Sequence, residues 1–157
     1  MRSLRRLIRQ LSPRRGRSAS AASPADSPVS SPVSYAPRAD GRADPGEVVW
    51  AWVPFEDDPS RGKDRPVLLI GRQAGQWLGL MLTSKDHDRD AADEARWGRH
   101  WMDVGAGGWD RQQRPSEVRL DRLITLAPDA VRREGAALDR RTFDRVVSEA
   151  QRFHTFG

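Results

Sequence analysis

The stretch from Arg61 to Gly71, "RGKDRPVLLIG", decides how the chain folds. Four large apolar residues in a row, bounded by turn formers, mark a strand buried on both faces. Pro66 has no backbone donor, which confines it to the first position of such a strand or to an edge. Residues 56–66 therefore read as a charged, turn-rich loop and Val67–Gly71 as a core strand. Arg65 then sits on a stiff corner at the entrance to the core. That is an unusual place for a charge that serves only solubility.

Working outward, "GEVVWAWVPF" begins a strand after Pro45-Gly46, with Val48, Trp50 and Trp52 on one side and Val49, Ala51 and Val53 on the other. Trp50 and Trp52 are both expected in the core. "QWLGLML" is a third strand, and "RHWMDVG" a fourth after a polar, helix-prone excursion at 85–98. The Gly-rich "GAGGWDRQQRPS" reads as a loop leading to "EVRLDRLITL", an irregular strand carrying Val118, Leu120 and Leu123 or Ile124. Phe143, Val146, Val147, Ala150 and Phe153 recur at helical spacing behind Asp139 as an N-cap. Short strands without repeated strand–helix alternation indicate a mainly β, α+β chain: a small antiparallel barrel with a C-terminal helix packed on it.

The charge is unevenly placed. The 157 residues carry a net charge of +5, yet residues 1–45 hold nine Arg against three Asp, whereas 46–157 hold 18 Lys and Arg against 19 Asp and Glu. All the excess basicity lies in the first segment, so a polyanion site in the folded part must be local. Residues 1–44 form a basic, Ser/Pro/Ala-rich arm that is expected to be disordered, because it holds too little apolar surface to offset its ordering entropy. Within it, Leu4, Leu7, Ile8 and Leu11 fall on one helical stripe. The folded domain is expected over 45–157. There is no cysteine, which excludes disulfides and thiolate metal sites. No run approaches the roughly 18 apolar residues of a membrane span, and "MRSLRRLIRQL" has no secretory h-region, so a cytoplasmic protein is expected.

Most catalytic signatures are missing. "KDHDRDAADE" is hydrophilic throughout and reads as a solvated loop rather than a metal site. "GAGGWD" lacks the Gly-Lys-Ser/Thr of a phosphate loop. What remains is Arg65 and the polar run Thr83-Ser84-Lys85 after the third strand. A guanidinium offers a phosphate two parallel donors and stays charged at any relevant pH. If the two strand ends lie side by side, Arg65 and Thr83 converge on one anion site.

These segments together resemble the PemK/MazF family of toxin endoribonucleases. The likeness rests on Gly46-Glu47-Val48-Val49-Trp50 opening the first strand, on Gly62 followed by a pair of residues and then Arg65-Pro66, on the strand-end pair Thr83-Ser84, on Ser116 at the start of a late strand, and on the final helix. It covers about residues 46–153 in the same order. It implies an SH3-like barrel that forms a homodimer and cleaves single-stranded RNA with no metal or other cofactor. Arg65 and Thr83 would be the catalytic residues. Lys63, Ser84, Lys85 and Arg122 would contact RNA; Arg122 falls near a Gln with that role in some relatives. The products would carry 2′,3′-cyclic phosphate and 5′-hydroxyl ends. A cognate antitoxin would silence the toxin, and the pair would bind DNA. Two alternatives belong to other classes: a barrel toxin that poisons a topoisomerase by binding, and a non-cleaving RNA- or protein-binding module.

Overall fold

The computed structural model describes residues 31–39, 42–84 and 91–156. Among these described residues, seven strands and two helices follow in chain order. They are β1 (Glu47–Pro54), β2 (Gly62–Gln73), β3 (Gln76–Thr83), α1 (Ala91–Arg96), β4 (Trp101–Gly105), β5 (Ser116–Arg119), β6 (Ile124–Leu126), β7 (Val131–Ala137) and α2 (Arg140–Ala150). A 3-10 turn, Pro128–Ala130, precedes β7. The strands run in the order β4-β5-β3-β2-β1-β7, with β6 also paired to β3, and the paired strands are antiparallel. The mainly β, α+β architecture with a C-terminal helix is the one the sequence indicates.

Both faces of the central strands are covered, which is why Val67–Ile70 is uniformly apolar. One face holds Val48, Leu68, Ile70, Leu80, Leu82 and Val118, capped by Phe143, Val146 and Ala150 of α2. The other holds Val49, Ala51, Val53, Val67, Leu69, Met81 and Ile124. The N-cap of α2 is Asp139, whose carboxylate accepts from the Thr142 backbone N–H at 3.0 Å and so satisfies one of the free donors of the first turn.

Three details depart from the sequence reading. The expected loop at 56–66 is shorter, because β2 begins at Gly62 and pairs Arg65 with Ala51 and Pro66 with Trp50. The β2–β3 ladder starts only at Val67↔Met81, so Pro66 stands at a local edge where a missing donor is tolerated. Gly62 is needed there, since a Cβ would stand 2.4 Å from the Val53 carbonyl and 2.7 Å from the Trp52 indole. Trp52 itself is 49% exposed rather than in the core. Finally, β7 was not foreseen: "VRREGAA" shows little alternation and is recruited as the outer partner of β1.

The arm boundary also differs. Residues 1–30, including the Leu4–Leu11 stripe, lie outside the described residues, but the chain from Pro32 is docked. Val33 bridges Gly71, and the Ser34 N–H donates to the Ile70 carbonyl at 3.0 Å. Tyr35 donates its hydroxyl to the Leu138 carbonyl at 2.7 Å and packs against Phe143, 5.0 Å between ring centroids. Gly71 admits this strip because a Cβ would collide with the Pro32 carbonyl at 1.8 Å. Tyr35→Ala is therefore expected to lower unfolding free energy by roughly 2 kcal/mol, from lost ring burial and one hydrogen bond. Urea unfolding reads this, and an unchanged midpoint would refute the docking.

Candidate active site

Alternation along the strands delivers the charged groups to one place. Val67 and Leu69 face the second apolar layer, so Arg65 and Lys63, two and four residues earlier on β2, share that face. On β3, Met81 belongs to the same layer, and Thr83 follows it by two. Because the β2–β3 ladder ends at Val67 and Met81, the two strand ends open beyond it. Arg65 and Thr83 line one open groove of about 940 Å³ in that opening. They also share a smaller adjoining recess of about 230 Å³.

The other predicted residues fall as follows. Lys63, Ser84 and Arg122 line the same groove, Lys63 and Ser84 exposed and Arg122 half-buried. Lys85 lies outside the described residues. Arg122 is fixed by a 2.7 Å hydrogen bond from Nη2 to the Pro54 carbonyl, with Nη1 3.9 Å from the Met81 sulfur. Ser116 takes a structural part: buried at the start of β5, it accepts from the Trp109 indole N–H at 3.1 Å. Trp109 anchors the Gly-rich loop in the core, and its carbonyl accepts from the Trp50 indole at 3.0 Å.

Electrostatics favour an anion here. Among the described lining residues, five are Lys or Arg and three are Asp or Glu. Partial burial, and then the charge of Arg122, lower the pKa of Arg65. Burial, and then the charge of Arg119, do the same to Arg122. Burial and neighbouring guanidiniums thus disfavour the charged forms of Arg65 and Arg122, and an anion bound in the groove would relieve that cost.

Arg119, Glu56 and Trp101 escaped the sequence reading. Arg119, with its side chain only 7% exposed, pairs with Asp121 at 2.8 Å and with Glu56. Its guanidinium carbon stands 5.9 Å from the Trp101 ring centre, and Trp101 is its cross-strand partner. All except Asp121 line the groove. The signal was present in the alternation: with Val118 and Leu120 turned into the core, Arg119 points to the opposite face, the one Thr83 occupies.

A family model described as PemK-like, MazF-like toxin of type II toxin-antitoxin system matches residues 44–154. The chain belongs to that family. No curated protein matches this PemK-like chain. Among solved structures it is similar to a chain of the MazE-MazF crystal structure from Deinococcus radiodurans, with 16% identity and a TM-score of 0.47. That match covers 72% of this chain and 96% of the other.

The ion cluster behind the groove is expected to make the fold's stability depend on acid pH through Asp121. Burial opposes ionisation of Asp121, but hydrogen bonds from Arg119 and the His100 N–H, with the Arg119 charge, outweigh it and lower its pKa. A lowered carboxyl stabilises the fold above its unfolded pKa of about 4 and loses that contribution as pH falls through the folded value. Asp121→Asn should cost about 3 kcal/mol at neutral pH, because Arg119 loses its buried partner. Its stability should also change less than wild type below about pH 4. Equal wild-type and variant stabilities at pH 7 would show that Arg119 does not depend on Asp121.

Proposed function

We propose that this toxin is an endoribonuclease that cleaves single-stranded RNA in the groove between the ends of β2 and β3. The observation that carries the reading is that Arg65 and Thr83, eighteen positions apart, line one cationic groove. RNA brings its own nucleophile, the 2′-hydroxyl that DNA lacks. That oxygen attacks the adjacent phosphorus, the bond to the 5′-oxygen breaks, and the 2′-hydroxyl proton is given up as the leaving oxygen takes one. The ends formed are a 2′,3′-cyclic phosphate and a 5′-hydroxyl.

The protein's part is placement and charge stabilisation. The two-pronged guanidinium of Arg65 binds the scissile phosphate and meets the charge that grows on its equatorial oxygens. The Thr83 hydroxyl, with Ser84 beside it, donates to a non-bridging oxygen and sets the phosphorus in line with the 2′-oxygen. Lys63, Lys85 and Arg122 hold the flanking strand. The working form is a homodimer in the cytoplasm, silenced when an acidic or apolar segment of its cognate antitoxin fills the same groove.

The test is incubation of the full chain with single-stranded RNA in excess chelator. Cleavage is expected to persist with chelator and to fall roughly 10²- to 10³-fold in Arg65→Ala, the loss typical of one transition-state donor. Thr83→Ala should lose roughly tenfold or more. RNA left intact by wild type, or cleavage equal in Arg65→Ala, would overturn the reading. Intact RNA together with growth arrest would favour a topoisomerase target instead.

A further inference from the structure

The ion pair on Arg119 has an asymmetry that stability alone does not explain. One partner, Asp121, is largely enclosed, 12% exposed at its side chain, and also accepts the His100 backbone N–H at 2.7 Å. It engages Arg119 through Nε and Nη2. The other, Glu56, reaches Nη1 from the connection between β1 and β2 with its side chain 49% exposed. Asp121 alone neutralises Arg119 and fixes its fork. Glu56 adds a second carboxylate from the solvent side, inside the groove that also holds Arg65, Thr83 and Arg122.

A carboxylate on a guanidinium fork occupies the position that a phosphate would take, with similar geometry and charge. Glu56 stands on the connection that leads into β2 and is closed by the Phe55 N–H donating to the Arg61 carbonyl at 2.8 Å. The Glu56 end of this pair is half exposed although the Arg119 end is not, so water and salt compete for the carboxylate. Arg119, by contrast, keeps its orientation through Asp121 when Glu56 leaves. The guanidinium is thus a preset anion site with a removable occupant.

We propose that Arg119 is a second phosphate contact for the nucleic-acid strand, kept closed by Glu56 until a backbone phosphate displaces that carboxylate. This rests on the RNA reading above and adds to it a flanking-phosphate subsite and a built-in competitor. In wild type the incoming phosphate exchanges one ion pair for another, so the contact adds little affinity and mainly sets register. With the Glu56 charge removed, the same phosphate meets an unblocked cation.

The test is binding of a 2′-O-methyl RNA of about ten nucleotides, which cannot supply the nucleophile, to the full chain and its variants. Glu56→Gln should bind roughly threefold to tenfold tighter at low salt. Its plot of log affinity against log salt should be steeper by about 0.7, the increment for one further neutralised phosphate on a single strand. Asp57→Asn removes the same charge from the same loop and groove but not from Arg119, so it should shift binding by less than twofold. Equal gains in the two variants, or no gain in Glu56→Gln, would overturn the gate. Either result with cleavage still dependent on Arg65 leaves the ribonuclease reading standing. Failure of every folded form to bind the oligonucleotide would overturn both. Glu56→Gln is the informative substitution because Arg119 substitutions would strand Asp121 in the interior.

Discussion

The point where the β2–β3 ladder stops governs the rest of the structure. β2 pairs with β1 over Gly62–Leu68 and with β3 from Val67 to Gln73, and the side chains of Val67–Ile70 are committed to two apolar layers. At Pro66 the β3 pairing has ended while the β1 pairing continues. Two strand ends therefore part while each keeps its own alternation. Side chains that would have continued the second apolar layer face an opening instead, and these are Lys63, Arg65 and Thr83. Rigid strand backbone thus places a guanidinium and a hydroxyl at the groove without depending on a loop. A site held by strands loses less entropy on binding a phosphate than one that must first be ordered.

Much of this was legible in the sequence because the determinants are local. The apolar run at Val67–Ile70, the alternation in β1 and the 3.6-residue spacing of α2 each report burial directly. The start of β2 was misread because Gly62-Lys63-Asp64-Arg65-Pro66 carries no apolar signal. What makes those residues strand is pairing with β1, and Asp64 also bridges to Arg132 on β7 at 2.8 Å. Trp52 was misplaced for a related reason. Alternation gives the side on which a residue lies but not whether that side is covered at the strand's end. The strip at Pro32–Ala36 was hidden by its composition, since its anchorage is mostly backbone hydrogen bonding and one tyrosine.

The candidate site divides in the same way. Arg65 and Thr83 were readable as strand-end groups, and their meeting follows from adjacency of β2 and β3. Arg119 was not singled out, because a lone Arg between Val118 and Leu120 looks like an ordinary outward-facing charge. Its meaning depends on three segments distant in sequence: Glu56 before β2, Trp101 on β4 and Asp121 after β5. The groove is consequently neither a bare cationic surface nor a neutral one. Arg65 is disfavoured as a cation by burial and then by Arg122, and Arg122 by burial and then by Arg119, whereas Arg119 itself is compensated twice. Under the proposed chemistry the charge of the transition state would build up at Arg65, and a bound anion would offset the cost of burying that guanidinium.

The central claim is that Arg65 and Thr83 act on one phosphate at one moment, and a double-mutant cycle addresses it most directly. Rate constants for single-turnover RNA cleavage would be compared for wild type, Arg65→Ala, Thr83→Ala and the double variant. Groups that serve the same transition state are strongly non-additive. The double variant should therefore be little slower than Arg65→Ala alone. Losses that multiply fully, as for two independent sites, would contradict the account.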